Sequence, residues 1–316
     1  MKINPLTSAI SIFLVLISTT LSYGQKIISI ENEYVMVDIS SRGGEIQRIE
    51  SKQTGRQYIW NGSQEIWKNR APLMFPVVVK FKDNEYTYKG QSYTMPLMGL
   101  LKDSQVEIEK TSESSASFIY KSSPKTKKIY PFDFILTIAY RLDKNELVHE
   151  FQLENIGDEL MYYDLGGHPI IPLSSEENKT REDYQYTFSE PVTIMRYPIV
   201  KGLKQTTPVA FLSNEKFINL SDNRIPDSGG MLLTDFPQTT LVGVAEKGKK
   251  PFIEVQLGDF KNVNLWAPSD KPLLAIEPIL GHHDGQQSPK AIEDKPQVST
   301  IKPNEKKIYR FSLFLY

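Results

Sequence analysis

Phe132-Asp133-Phe134-Ile135-Leu136-Thr137-Ile138-Ala139-Tyr140, then Asp143-Lys144-Asn145-Glu146, then Leu147-Val148-His149-Glu150-Phe151-Gln152-Leu153, is the stretch that decides the fold. Phe132, Phe134, Leu136, Ile138 and Tyr140 share one parity; Leu147, His149, Phe151 and Leu153 share another. A period of two predicts strands with one face in a core, and the polar tetrapeptide between them predicts a hairpin turn. The pattern extends outward in both directions. Val35, Val37 and Ile39 alternate with Met36 and Asp38, and residues 307–316 alternate again through Ile308, Tyr309, Phe311 and Leu313. No long amphipathic helix reads out, and Pro and Gly recur as punctuation. The expectation is an all-β chain, a large antiparallel sandwich or barrel rather than α/β. Residues 111–115 and 122–128 read as strand-edge loops, 174–183 and 214–230 as longer surface loops, and 284–300 as a loop near the last strand. No linker divides residues 25–316, so one domain is expected there.

The chain has 316 residues, 37 of them basic and 38 acidic. Its first 24 residues read as an export signal. Lys2 is the positive n-region, residues 9–17 (AISIFLVLI) are the apolar run, and Ser22-Tyr23-Gly24 sets small residues before Gln25. The run is shorter than the ~20 apolar residues needed to span a bilayer. A periplasmic or secreted protein is therefore expected, with no membrane association after cleavage near Gly24/Gln25. Removing the signal takes away only Lys2 and leaves 36 basic against 38 acidic side chains. That near balance argues against nucleic acid or an anionic membrane as a partner. With no cysteine there is no disulfide frame, no thiolate chemistry and no cysteine metal site.

Four histidines are available. His149 shares parity with apolar strand neighbours and reads as a packing residue. His282 and His283, in Gly281-His-His-Asp-Gly285, read as solvated loop residues rather than as a metal site. His168 lies in Asp164-Leu165-Gly166-Gly167-His168-Pro169. Two glycines free the backbone before it and a proline fixes the chain after it, a frame that could present one ring in a set orientation. An ordinary turn histidine remains the other reading. Glu277 ends the apolar run Leu273-Leu274-Ala275-Ile276. Burial there would raise its pKa toward that of a base working near neutrality, whereas an edge position would leave it a surface glutamate. Trp266, in Asn264-Leu265-Trp266-Ala267-Pro268, reads either as core or as a flat apolar wall for a ring. Arg70, before Ala71-Pro72, reads either as solvated or as a donor fork for hydroxyls.

In this order the segments resemble the aldose 1-epimerase (galactose mutarotase-like) superfamily, and within it the LacX-like bacterial branch. The matching pieces are Gly43-Gly44-Glu45-Ile46, Thr54-Gly55-Arg56-Gln57-Tyr58-Ile59-Trp60, Arg70-Ala71-Pro72 with Phe75-Pro76, Gly166-Gly167-His168-Pro169, Leu265-Trp266-Ala267-Pro268 and Ile276-Glu277-Pro278 followed by Gly281. The resemblance covers essentially the whole chain after the signal. It implies a β-supersandwich that interconverts the α and β anomers of a free aldose without cofactor or metal. It implies His168 as the acid that protonates the ring oxygen, Glu277 as the base that takes the C1 hydroxyl proton, and Arg70 as a substrate-binding arginine. The partner implied is a small-molecule sugar, a monosaccharide.

One segment departs from the relatives. Their second histidine, in a His-Gly-Phe-Ala-Arg-like run, aligns with Met98, and the arginine of that run aligns with Lys102. Ile279 stands where an aromatic is common. Acid and base are kept while Met98 and Lys102 alter the expected sugar-binding shell, and Met98 donates no useful hydrogen bond. Substrate identity is therefore left open. A second reading is a non-catalytic carbohydrate-binding protein on the same scaffold. A glycoside hydrolase would need two carboxylates across the scissile bond, and only Glu277 offers itself.

Overall fold

The quoted stretch forms its hairpin. Strand Phe134–Asp143 pairs antiparallel with Glu146–Asn155, with Glu146 opposite Asp143. Buried and half-exposed residues alternate along both strands, which is the period-two pattern turned into one wet and one dry face. A computed structural model describes residues 25–173 and 179–316. The expected export segment, and the first part of the loop expected over 174–183, lie outside these residues.

From the hairpin the sheet grows both ways. Ser115–Lys121 and Glu107–Thr111 extend one side, and the last strand, Lys306–Leu315, pairs with Glu146–Asn155 on the other. Beyond it come Ile253–Gln256, Val242–Glu246, Tyr184–Val200, Gly230–Leu233, Asn262–Trp266, Leu273–Ile279, Gly166–Gly167 and Leu73–Met74, all antiparallel. The strand Tyr184–Val200 makes the turn between layers. Its start pairs with Val242–Glu246 and its end with Gly230–Leu233, and register shifts against Val209–Asn219 lie between Thr187 and Met195. Such irregularities bend a strand and re-aim the sheet. The two halves then pack face to face: Leu136, Ile138, Phe151 and Phe311 from one share a core with Val263, Leu265, Leu274 and Ile276 from the other. This is the large antiparallel β-sandwich that the periodicity predicts. Helix among the described residues is confined to Pro124–Lys127 and single 3-10 turns.

The expected loop over 214–230 is corrected at its start, where Val209–Asn219 is a strand. Its alternation is blurred because, among the described residues, it pairs only with Tyr184–Val200 and leaves Phe217 exposed beside Asn214 and Lys216. A separate meander, Ile27–Glu31, Val35–Ser40 and Ile46–Ser51, packs on the main core.

Candidate active site

Parity places Glu277. In strand Leu273–Ile279, Leu274 and Ile276 enter the main core, so Ala275, Glu277 and Ile279 must face the other way. That outer face is covered as well, and every residue of the strand is buried. Apolar side chains flank the carboxylate on both sides: Trp60, Ile170, Leu273 and Ala275 in one group, Met74, Val78, Met98, Leu232 and Ile279 in the other. Asn264 lies directly opposite Glu277 on the neighbouring strand, and its Nδ2 donates to Glu277 Oε1 at 2.8 Å.

His168 arrives from the other side. Gly166 and Gly167 form a two-residue strand between Leu73–Met74 and Ile279. Sequence reasoning took these glycines for conformational freedom; their use here is close approach. A Cβ on Gly166 would sit 2.7 Å from the Ile279 side chain, and one on Gly167 would sit 2.7 Å from the Phe311 ring. The backbone N–H of His168 donates to the Pro72 carbonyl at 3.0 Å. The imidazole is thereby set with Nε2 3.3 Å from Glu277 Oε1.

His168 is 4% exposed and Glu277 1%. Burial pushes the Glu277 carboxyl up to about 8, against an opposing pull from the Asn264 hydrogen bond. Burial holds the His168 imidazole down at about 4. Between those limits the pair carries a single proton, and desolvation alone rests it on Glu277 rather than on His168.

Two tryptophans complete the site. The Trp67 ring lies 6.4 Å from His168 at an interplanar angle of 20° and 4.9 Å from Trp266 at 54°. The Trp266 ring meets His168 edge-on at 5.9 Å. Four polar atoms gathered here are buried without a partner among the described residues: Trp67 Nε1, His168 Nδ1, Asn264 Oδ1 and Glu277 Oε2. Buried polar atoms are nearly always paired, so a cluster of exceptions calls for a ligand that pairs them.

Of the residues singled out from sequence, His168, Glu277 and Trp266 come together. Met98 lies on the same face, 5% exposed, packed in the apolar group that Trp67 also touches, with its backbone N–H on the Val79 carbonyl. Arg70 and Lys102 are held by other partners. They line a polar cavity of about 390 Å³ with Glu45, Gln47, Lys68 and Asp103, and its lining includes neither His168 nor Glu277. The Arg70 guanidinium donates to the Gln47 carbonyl at 2.6 Å, and the Lys102 ammonium pairs with Asp103. What Arg70 gives the site is backbone, its carbonyl accepting from Ile170 N at 3.0 Å.

His149 is a packing residue, stacked 4.1 Å from Phe311. His283, expected in solvent, is instead 4% exposed, with Nδ1 3.3 Å from the Gly202 carbonyl. Sequence reasoning missed Asn264 and Trp67. Asn264 lies in a strand buried on both faces, so no alternation marks it. Trp67 sits between strands, where no periodicity marks it.

The sequence profile of the aldose 1-epimerase family matches residues 26–223. The chain is 28% identical over 298 residues to the chromosomal LacX protein of Lactococcus lactis subsp. lactis, an alignment covering 90% of this chain and 99% of that one. A galactose mutarotase related enzyme from Lactobacillus acidophilus superposes with a TM-score of 0.86 at 28% identity, over 92% of this chain and 97% of that one. A galactose mutarotase-like protein from Lactobacillus casei superposes with a TM-score of 0.83 at 22% identity, over 92% and 100%. With a family match across most of its length, relatives aligned nearly end to end and the same β-sandwich, the chain belongs to the aldose 1-epimerase family, in its LacX-like branch.

Proposed function

We propose that this protein interconverts the α and β anomers of a free aldose, with Glu277 as base and His168 as acid. The observation that carries the reading is the buried contact at 3.3 Å between Nε2 and Oε1; burial that raises the carboxyl and lowers the imidazole fits one proton on the pair near neutrality. Ring opening removes a proton from the C1 hydroxyl and delivers one to the ring oxygen as the C1–O5 bond breaks. The aldehyde turns and the reverse transfers close the ring on its other face, so the pair ends with the proton count it began with. The working state needs the proton on His168 and the charge on Glu277. Sugar hydroxyls hydrogen-bonding to the unpaired Glu277 Oε2 would stabilise that charge alongside Asn264 and draw the proton across. The Trp67 and Trp266 faces would hold the apolar side of the ring.

The alternative is sugar binding without turnover. It is favoured by one observation: the Arg70 and Lys102 side chains are engaged by Gln47 and Asp103. Polarimetry on freshly dissolved α-D-glucose, α-D-galactose and α-D-xylose separates the two readings. Accelerated decay of rotation supports the enzyme. Saturation-transfer NMR contacts with unchanged decay support the binder. We also propose export, on the strength of residues 1–24; the intact mass of protein from its host should begin at or near Gln25, and a retained Met1 refutes it.

A further inference from the structure

The three tryptophans of this chain treat their indole N–H groups differently. Trp60 Nε1 donates to the Trp67 carbonyl at 2.7 Å, and Trp266 Nε1 donates to the Ser228 carbonyl at 3.1 Å. Trp67 Nε1 is buried and donates to nothing among the described residues. Its ring is nonetheless held. The Trp67 backbone N–H bonds to the Ser63 carbonyl at 2.9 Å, its own carbonyl takes the Trp60 indole, and its ring is wedged between the Met98 group and Trp266. A fixed, buried, unused donor beside His168 points to a ligand acceptor.

We propose that Trp67 is a specificity-determining residue of this site, its indole N–H donating to one hydroxyl of the bound sugar. The proposal rests on the sugar reading above and narrows it. The neighbouring orphans decide the ligand chemistry. Asn264 Oδ1 can only accept, and the oxygen of an ionised Glu277 can only accept, while Trp67 Nε1 can only donate. A carboxylate or phosphate would satisfy the indole and leave both acceptors bare. An ammonium would satisfy the acceptors and leave the indole bare. A hydroxyl donates and accepts at once, so a polyhydroxylated ring fits this corner.

The test is binding, measured apart from turnover. Dissociation constants of wild type and Trp67→Phe are determined by calorimetry for D-glucose, D-galactose and their 2-, 3-, 4- and 6-deoxy analogues. Phenylalanine keeps the aromatic wall and deletes the donor. Loss of a neutral hydrogen bond predicts weakening of about 2–12-fold for the parent sugar. For one deoxy analogue, the one lacking the partner hydroxyl, wild type and variant should bind alike. Equal affinity for the parent sugar, or the same loss across every analogue, overturns the proposal. In the wild type, the Trp67 indole proton should move downfield and exchange more slowly on adding the tighter-binding parent sugar, a readout that needs no variant to fold; an unmoved signal also overturns it. If the donor effect appears without anomerisation, the enzyme reading fails and this one stands. If anomerisation appears without the donor effect, the reverse holds.

Discussion

Replacing Asn264 by leucine separates proton affinity from geometry at the proposed catalytic pair. Asn264 Nδ2 donates to Glu277 Oε1 at 2.8 Å, and this bond favours the ionised carboxylate. Leucine is close to asparagine in shape. It also removes the unpaired Oδ1 and sets a methyl group beside Leu232, the residue opposite Asn264 on the adjoining strand, so folding should hold. A hydrogen bond to a charged group contributes about 1.5–3 kcal/mol. At 1.36 kcal/mol per unit, its loss raises the carboxyl pKa by roughly one to two units. In the proposed mechanism the pair works with one proton on it, so kcat/KM should be bell-shaped between limbs near 4 and near 8. The variant should lose about 10–100-fold across the plateau, because the tautomer charged at Glu277 is harder to reach. Its alkaline limb should move up by the same one to two units, so the deficit shrinks above pH 9. The assay is anomerisation followed by polarimetry from pH 4 to 10. Superimposable profiles would refute the reasoning. So would a uniform loss with an unmoved alkaline limb, because that pattern signals lost geometry.

Two further outcomes bear on stability. His149 is held down to about 3 by burial, against an ordinary value of 6.5, and neither ring nitrogen has a partner. A depressed histidine keeps its stabilising neutral form above 6.5 and forfeits stability as pH falls toward 3. His149→Phe should therefore gain about 2.3 kcal/mol over wild type between pH 6.5 and pH 4.5 in urea unfolding, and equal losses for both proteins would count against it. Lys144, at φ +54° in the hairpin turn, pays a left-handed penalty that glycine escapes. After glycine's greater unfolded entropy is subtracted, Lys144→Gly should stabilise by about 0.5–1 kcal/mol, seen as a higher urea midpoint, and a lower midpoint refutes it.

The fold was legible because the layer built on Phe134–Asp143 and Glu146–Asn155 writes its inner face in alternating residues. What escaped was the outer face. Strand Asn262–Trp266 is buried on both sides apart from half-exposed Trp266, so Asn264 carries no alternation signal of its own. Glu277 and His168 were visible by composition: one carboxylate in an apolar run, one imidazole in a Gly-Gly-His-Pro frame. Trp67 was invisible because what places it is the Trp60 indole and the Ser63 carbonyl, contacts of a loop with no period. Arg70 and Lys102 show the converse. Their positions along the chain suggested the site, yet their side chains turn to Gln47 and Asp103. Chain position fixes a backbone, while side-chain direction depends on partners brought from elsewhere in the sequence.

The most direct measurement is magnetisation exchange between the α and β C1 protons of a sugar that binds, recorded at anomeric equilibrium with wild type, His168→Ala and Glu277→Gln. The wild type should produce exchange far above the buffer rate, and each variant should lower it by about 10²–10⁴-fold, the usual worth of a positioned acid or base. Exchange no faster than buffer with the wild type, or equal exchange in all three proteins, would contradict the assignment of this pair as the acid and base of anomer interconversion.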